Sequence, residues 1–260
     1  MPYSKINNLN IFYYENNREG IPLLFIHGWL GRSSEWVYQF SYFNSKNHII
    51  ILDLPGFGRS DKPKIKYSIK FFTETIIDFL NLAGFNEVHL IGHSLGGLIA
   101  QNIAFLYPDM VRKLILISTP YADSRTNKEK FLLFFLKIFF RLAYKKVLEE
   151  IIKRIIDPKA DRIDFQRLFK YALKLPKSTV LSSFKNMNNR NNPKTVLNKI
   201  SQPTLIIHGN KDKIVTNSMI NTLHDALPIS QLSVIEDGAH RVMYQNHEKI
   251  NKVIEGFINT

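Results

Sequence analysis

The chain has no cysteine. That excludes a disulfide framework, a thiolate metal site and a cysteine nucleophile. It also has no long apolar run. The most apolar stretch, residues 131–140, is interrupted by Lys137 and falls far short of the roughly 20 residues needed to span a bilayer. Met1-Pro-Tyr-Ser-Lys-Ile-Asn-Asn has no apolar h-region, so no signal peptide is expected. Together these absences point to a cytoplasmic protein, or at most one that rests on a membrane surface. There is no internal repeat and no Gly/Ser/Pro-rich linker. Hydrophobic residues at 45% and charged residues at 22% are ordinary globular proportions, which excludes disorder. A length of 260 residues suits one domain carrying a moderate insertion.

Charge is plentiful but uneven. The formal net charge is +13. Residues 121–200 hold 19 of the 35 Lys+Arg and 7 of the 22 Asp+Glu, an excess of 12. Residues 1–120 and 201–260 together are nearly neutral. Coding bias toward lysine does not explain an imbalance confined to one segment.

Short apolar runs alternate with helical patterns, which predicts an α/β fold with a mostly parallel central sheet flanked by helices. The expected strands are Ile11–Tyr14, Leu23–Ile26, Ile49–Leu52, Val88–Ile91, Leu114–Ile117, Leu205–Ile207 and Leu232–Ile235. Their Ile, Leu and Val content fits strands buried on both faces. Expected helices cover Ile69–Ala83 after a Ser68 cap, Leu95–Leu106, a segment from Thr216 to about Leu227, and Asn246–Ile258. Residues 121–200 interrupt the alternation with helical patterns alone, at Lys128–Tyr144, Lys146–Ile156, Phe165–Leu175 and Ser178–Asn186. The expected organisation is a core of residues 1–120 and 201–260 with a helical insertion at 121–200.

The most specific motif is Gly92-His93-Ser94-Leu95-Gly96, followed by Gly97. It matches G-x-S-x-G between a strand and a helix, the context that motif requires. A strand that turns abruptly into a helix holds its middle residue in a strained conformation. Small residues two positions to either side prevent a clash. The serine hydroxyl then stands above the sheet at the positive end of a helix.

A serine needs a base to become a nucleophile. His240, in Asp237-Gly238-Ala239-His240, follows the last strand. Loops after parallel strands gather on one edge of a sheet, so His240 can face Ser94. His93 adjoins the nucleophile and is expected to point elsewhere. His48, His89 and His208 lie in or beside strands, and His224 and His247 are expected on exposed helix faces. The base in turn needs an acid to orient it. Asp212 follows the penultimate strand, next to the His240 loop on the simplest strand order. Asp123, after the strand preceding the insertion, is the alternative.

The order Ser94, Asp212, His240 around such a sheet resembles the α/β-hydrolase superfamily over essentially the whole chain, most weakly in residues 121–200. Two further stretches support this. His27-Gly28-Trp29-Leu30-Gly31 looks like the family's HGxxG loop, and Asp53-Leu-Pro-Gly-Phe-Gly-Arg-Ser60 looks like its D-x-P-G-x-G-x-S loop. The resemblance implies an α/β-hydrolase fold with an inserted helical cap over the active site. It implies an oxyanion hole made by the backbone N–H groups of Trp29 and Leu95. It further implies a serine carboxylesterase with a catalytic triad that needs neither metal nor organic cofactor. A serine at the elbow argues against epoxide hydrolases and haloalkane dehalogenases, which use an aspartate there. Acylglycerol lipases and C–C bond hydrolases share the framework. A non-catalytic ligand-binding protein on the same fold is the alternative of a different class.

The insertion bears on the substrate. Its Phe131–Tyr144 stretch is nearly all apolar, with Lys137, Arg141 and Lys145 at helical spacing. It suits an acyl-binding wall or a lipid-facing surface as well as simple packing. The +12 suits docking of an acidic carrier protein or an anionic membrane surface. Nucleic acid fits poorly, because no recognition motif accompanies the charge. Within the family, the basic insertion and His27-Gly28-Trp29 are similar to the esterases that cleave pimeloyl-carrier-protein methyl ester. His93 stands where those esterases commonly have tryptophan.

Overall fold

The alternation of apolar runs and helical patterns produces an eight-stranded sheet. The computed structural model describes residues 3–120, 140, 142–156, 161–186 and 196–260. Lys137, Arg141, Asp123 and most of the helix expected over 128–144 lie outside these residues. The strands are β1 (Tyr3–Ile6), β2 (Leu9–Glu15), β3 (Leu23–Ile26), β4 (Ile49–Leu52), β5 (Val88–His93), β6 (Val111–Ile117), β7 (Thr204–Gly209) and β8 (Ser230–Ile235). They lie in the order β1-β2-β4-β3-β5-β6-β7-β8. The β1–β2 and β2–β4 pairings are antiparallel, and the remaining pairings are parallel.

Each of the seven expected strands forms, several of them longer than the apolar run alone suggested. β1 was not expected, because Tyr3-Ser-Lys-Ile6 is mostly polar. The signal for it lies in Asn7-Asn8. Both residues have positive φ, 47° and 64°, the conformation of a tight hairpin turn that asparagine tolerates. The turn returns β2 antiparallel onto β1.

Side chains alternate between the two faces of the parallel strands. Leu24 and Ile26 of β3 join one apolar cluster, and Leu23 and Phe25 join the other. The first face is covered by α2 (Ile69–Leu82), α3 (Leu95–Leu106) and α7 (Asn217–Ala226). The second is covered by α1 (Val37–Phe43) and α8 (His247–Ile258). Ser68 caps α2 by accepting the Phe71 N–H at 3.2 Å, and Thr216 caps α7 by accepting the Met219 N–H at 3.3 Å. α1 was not expected either. Its sequence, VYQFSYF, is rich in aromatic and β-branched residues that favour strands, and burial of Phe43 overrides that preference.

Between β6 and β7 the described residues form α4 (Tyr144–Ile155), α5 (Arg162–Lys174) and α6 (Lys177–Asn186), with no strand among them. α4 buries Leu148, Ile152 and Ile155, an i, i+4, i+7 stripe. These helices reach over the carboxyl ends of the strands. The Trp29 indole after β3 donates to Ser183 Oγ of α6 at 2.9 Å, and the Gly58 N–H after β4 donates to the Tyr171 hydroxyl of α5. Arg241, after β8, pairs with Asp164 of α5.

Candidate active site

Ser94 sits between β5 and α3 with φ 49° and ψ −109°. A residue with a Cβ rarely adopts positive φ, and at such a turn the surroundings must enforce it. Here glycines allow the enforcing contacts. A Cβ on Gly92 would lie 2.5 Å from the Gly96 carbonyl, and one on Gly96 would lie 2.2 Å from the Ile26 carbonyl oxygen. The strand therefore runs hard against the helix, and the helix against the end of β3. The Ser94 N–H donates to the Ile117 carbonyl at 2.9 Å, which fixes the elbow to β6.

The loops after β7 and β8 are bound to one another. The Lys211 N–H donates to the Gly238 carbonyl at 2.9 Å, and the Asp237 N–H donates to Asn210 Oδ1 at 2.9 Å. A Cβ on Gly209 would meet the Gly238 oxygen at 2.2 Å. This crowding brings Asp212 and His240 together: His240 Nδ1 lies 2.8 Å from Asp212 Oδ2. On the other side of the ring, His240 Nε2 lies 3.1 Å from Ser94 Oγ. The His240 and Asp212 side chains are almost fully buried, at 4% and 0% exposure. A carboxylate oxygen only accepts, so Nδ1 carries the ring proton and Nε2 offers its lone pair to the serine hydroxyl.

Asp212 is held ionised. Burial pushes its pKa up, but the opposing effects win and the net shift is downward. Those effects are the attraction and hydrogen bond of His240 and the N–H groups of Val215 and Ile214. Both N–H groups donate to Oδ1, at 2.9 and 2.7 Å. A carboxylate whose oxygens accept several hydrogen bonds resists protonation.

The backbone groups expected to bind an oxyanion flank Ser94. A Cβ on Gly28 would fall 2.7 Å from His93 Nδ1, so the residue before Trp29 touches the residue before Ser94. Gly96, immediately after Leu95, presses on the carbonyls of Ile26 and His27. Leu95 opens α3, and its N–H is one of those a helix leaves without an internal partner. A tight turn, Gly31 N–H to Gly28 carbonyl at 3.0 Å with Leu30 at φ 63°, shapes the loop around Trp29.

The Asp53–Ser60 loop is a scaffold. Asp53 accepts the Ser33 and Arg59 N–H groups at 2.5 and 2.7 Å. Gly58, at φ 53°, leaves room for that carboxylate, which a Cβ would meet at 2.1 Å. His27 accepts the Leu54 N–H at 3.0 Å, tying this loop to the end of β3.

Several residues of the site were not expected from the sequence. His93 does point away from Ser94, but it stays in the site: its Nε2–H donates to the His240 carbonyl at 2.9 Å. Burial, then repulsion from His240, keeps its pKa well below that of an ordinary histidine, so it holds the His240 backbone as a neutral ring. Arg241, next to the candidate base, is 4% exposed and faces both Asp164 and Glu35. Its position beside His240 was visible, but its partners are 77 and 206 residues distant in sequence, beyond any local pattern. His224 and His247 are half-buried rather than exposed. His224 hydrogen-bonds Ser230 at 2.7 Å, and His247 stacks on Tyr38 at 3.9 Å. Among the described residues, no group of three or more His, Asp or Glu has the geometry of a metal site. Nor is any helix among them long and apolar enough to cross a membrane.

A family model described as the α/β-hydrolase fold matches residues 21–246. The chain belongs to that family. It is 26% identical over 247 residues to the dihydrolipoyllysine-residue acetyltransferase component of the acetoin cleaving system of Pseudomonas putida, covering 92% of this chain and 64% of that protein. It is 36% identical over 126 residues to epoxide hydrolase 4 of Homo sapiens, covering 47% of this chain and 35% of that one. The chain thus spans less than two thirds of the length of each of these two relatives. Among solved structures, an esterase from Exiguobacterium antarcticum superposes with a TM-score of 0.89 at 20% identity, covering 99% of both chains. At that identity the likeness speaks for the fold.

Proposed function

We propose that this protein is a serine hydrolase that cleaves carboxylic esters through an acyl-enzyme. Ser94 is the nucleophile, His240 the general base and acid, and Asp212 the carboxylate that orients His240. The observation that carries this reading is the unbroken relay from Asp212 Oδ2 to His240 Nδ1 at 2.8 Å and from His240 Nε2 to Ser94 Oγ at 3.1 Å. Asp212 supplies the acid without recourse to Asp123.

The steps balance. Ser94 Oγ attacks the acyl carbon while its proton passes to His240 Nε2. The carbonyl oxygen gains negative charge and takes hydrogen bonds from the N–H groups of Trp29 and Leu95. The tetrahedral adduct collapses, and Nε2–H protonates the departing alcohol. Water then gives a proton to Nε2 and attacks the acyl-serine, and the same proton returns to Ser94 as the acid leaves. Each oxyanion donor is worth about 3–4 kcal/mol in the transition state.

A serine elbow favours acyl chemistry over epoxide opening. Attack of a hydroxyl on an epoxide leaves an ether with no carbonyl for water to reach. Attack on an ester leaves an acyl-serine that water can cleave. A lipophilic acyl group suits the surroundings. The Trp29 ring packs against Phe140 and Phe184 of the insertion, at centroid separations of 6.5 and 5.3 Å. These rings adjoin the oxyanion loop and form an apolar wall. We extend the proposal to an acyl substrate presented by an acidic carrier protein or an anionic membrane surface, with residues 121–200 as its docking cap. The absence of cysteine suits a cytoplasmic setting.

The test is a panel of p-nitrophenyl esters from acetate to laurate, run beside a carrier-linked acyl ester and a C–C cleavage substrate. Hydrolysis of esters by the wild type and none by Ser94→Ala is the expected result. Turnover of the C–C substrate alone, or no turnover of any substrate, would overturn the reading.

A further inference from the structure

A cavity of about 470 Å³ lies between the loops after β3 and β4, α5 and the segment after His240. Neither Ser94 nor His240 lines it. Four arginines do: Arg32, Arg59, Arg167 and Arg241. Two carboxylates share the lining, Glu35 and Asp164, and both are committed to Arg241. Among the described residues, Arg32, Arg59 and Arg167 have no carboxylate within ion-pair distance. Arg32 still feels the Glu35 carboxylate, but four guanidinium groups against two carboxylates leave the lining with an excess of positive charge.

The walls are aromatic. The Arg32 guanidinium stacks on Tyr171 at 4.4 Å and Arg59 on Phe12 at 4.6 Å. Stacking fixes the guanidinium planes and leaves their edges as donors. Arg167 lies one turn before Tyr171 on α5, so both share a helix face with Asp164. The Gly58 N–H donates to the Tyr171 hydroxyl, which links the ring under Arg32 to the residue preceding Arg59. Thus three cations from three different segments line one cavity, two of them stacked on rings that also line it. Arg241 is itself 4% exposed, and its buried Nε has no hydrogen-bond partner among the described residues.

We propose that this cavity is a binding site, separate from the ester-cleaving centre, for an organic phosphate monoester with a flat apolar body. Four guanidinium groups against two carboxylates leave an excess of two positive charges, which matches a phosphate carrying about −1.5 to −2 at neutral pH better than a singly charged carboxylate. The aromatic walls would hold the apolar body. The site does not depend on the esterase reading, because occupancy needs no turnover.

The probe is 1-naphthyl phosphate, titrated by calorimetry at low salt, with 1-naphthol, 1-naphthoate and inorganic phosphate as controls. One molecule should bind per chain. Naphthol and inorganic phosphate should bind at least about tenfold more weakly, and naphthoate should fall between them and the probe, since each lacks part of the charge or the ring. Arg59 and Arg167 are exposed side chains, so Arg59→Glu and Arg167→Glu should fold. Each should weaken the probe by about tenfold or more. Thermal unfolding checks the fold, and Arg167→Gln serves if a reversal proves destabilising. Protein modified at its reactive serine by a fluorophosphonate should bind the probe as before. Equal affinity in wild type and the arginine variants, naphthol binding as well as its phosphate, or loss of binding on serine modification would each overturn the proposal. A protein that binds the probe yet cleaves no ester would keep this site and lose the esterase.

Discussion

The sheet edge and the helical insertion are built in opposite ways. At the sheet edge, glycine contacts and backbone hydrogen bonds define the site. Gly92, Gly96 and Gly209 let chain segments meet at distances where a Cβ would collide, and Ser94, His240 and Asp212 follow from that crowding. The body is nearly neutral. The insertion carries almost all the excess charge and meets the body through side chains: Ser183 on Trp29, Tyr171 on Gly58, and Asp164 on Arg241. Steric definition makes the first region intolerant of change. The second can alter its face without moving the chemistry. Under the proposed function, reaction type would belong to the sheet edge and substrate choice to the insertion.

The largest expected effect tests the sheet edge. Ser94→Ala and His240→Ala should each lower kcat by about 10⁶-fold, and the double variant should be little worse, since the residues act as one unit. Steady-state kinetics on one soluble ester reads this, and additive losses would contradict a shared relay. Asp212→Asn should cost about 10⁴-fold by losing the correct histidine tautomer. Asp123→Asn should stay within a few-fold of wild type in the same assay. The reverse ranking would move the acid to Asp123.

A smaller effect separates the two regions. Ser183→Ala removes the acceptor of the Trp29 indole, at a cost of about 1 kcal/mol for a partly buried hydrogen bond. It should change kcat/KM for a long-chain ester by several-fold and for an acetate ester by less. Equal changes would mean that the insertion does not shape acyl preference.

The charge prediction is narrower than composition suggests. Lys153 is already paired with Glu149 and Glu150, at 3.2 and 2.8 Å. Neutralising Lys145, Lys146 and Arg154 together should raise KM for a carrier-linked or vesicle-presented substrate by several-fold and leave a small soluble ester unchanged. Added salt should mimic the substitutions, because exposed charges are screened over roughly 8–10 Å at 0.1–0.15 M. A flat salt response would remove docking from the account.

A separate effect, on stability and not on activity, concerns acid. His89, His93 and His208 all have lowered pKa values, with burial the main cause, and His89 falls to about 4. Below pH 6.5 the unfolded chain binds protons that the folded chain refuses. Stability should therefore rise with pH between about 4 and 6.5, because the unfolded state is the more protonated over that window. Denaturant midpoints across this range check it, and His89→Gln should flatten part of the slope.

How much of this was legible follows the same division. Parallel strands made of Ile, Leu and Val announce themselves, and so does a helix capped by Ser68 or Thr216. Ser94 was legible because a strained turn restricts its neighbours to small residues. Asp212 and His240 were legible because loops after parallel strands share an edge. Arg241 with Asp164 and Glu35 was not, since contacts between distant segments leave no local pattern. The four-arginine cavity escaped for the same reason, its cations coming from four separate segments. β1 escaped because its short polar strand is specified by the Asn7-Asn8 turn and not by apolar periodicity.

The central claim is that Ser94 is an activated nucleophile. Mass spectrometry of the intact protein after treatment with a fluorophosphonate tests it most directly. The account predicts one adduct per chain, mapped by peptide digestion to Ser94, absent from Ser94→Ala and strongly slowed in His240→Ala. No adduct on the wild type, or an adduct that persists in Ser94→Ala, would contradict it.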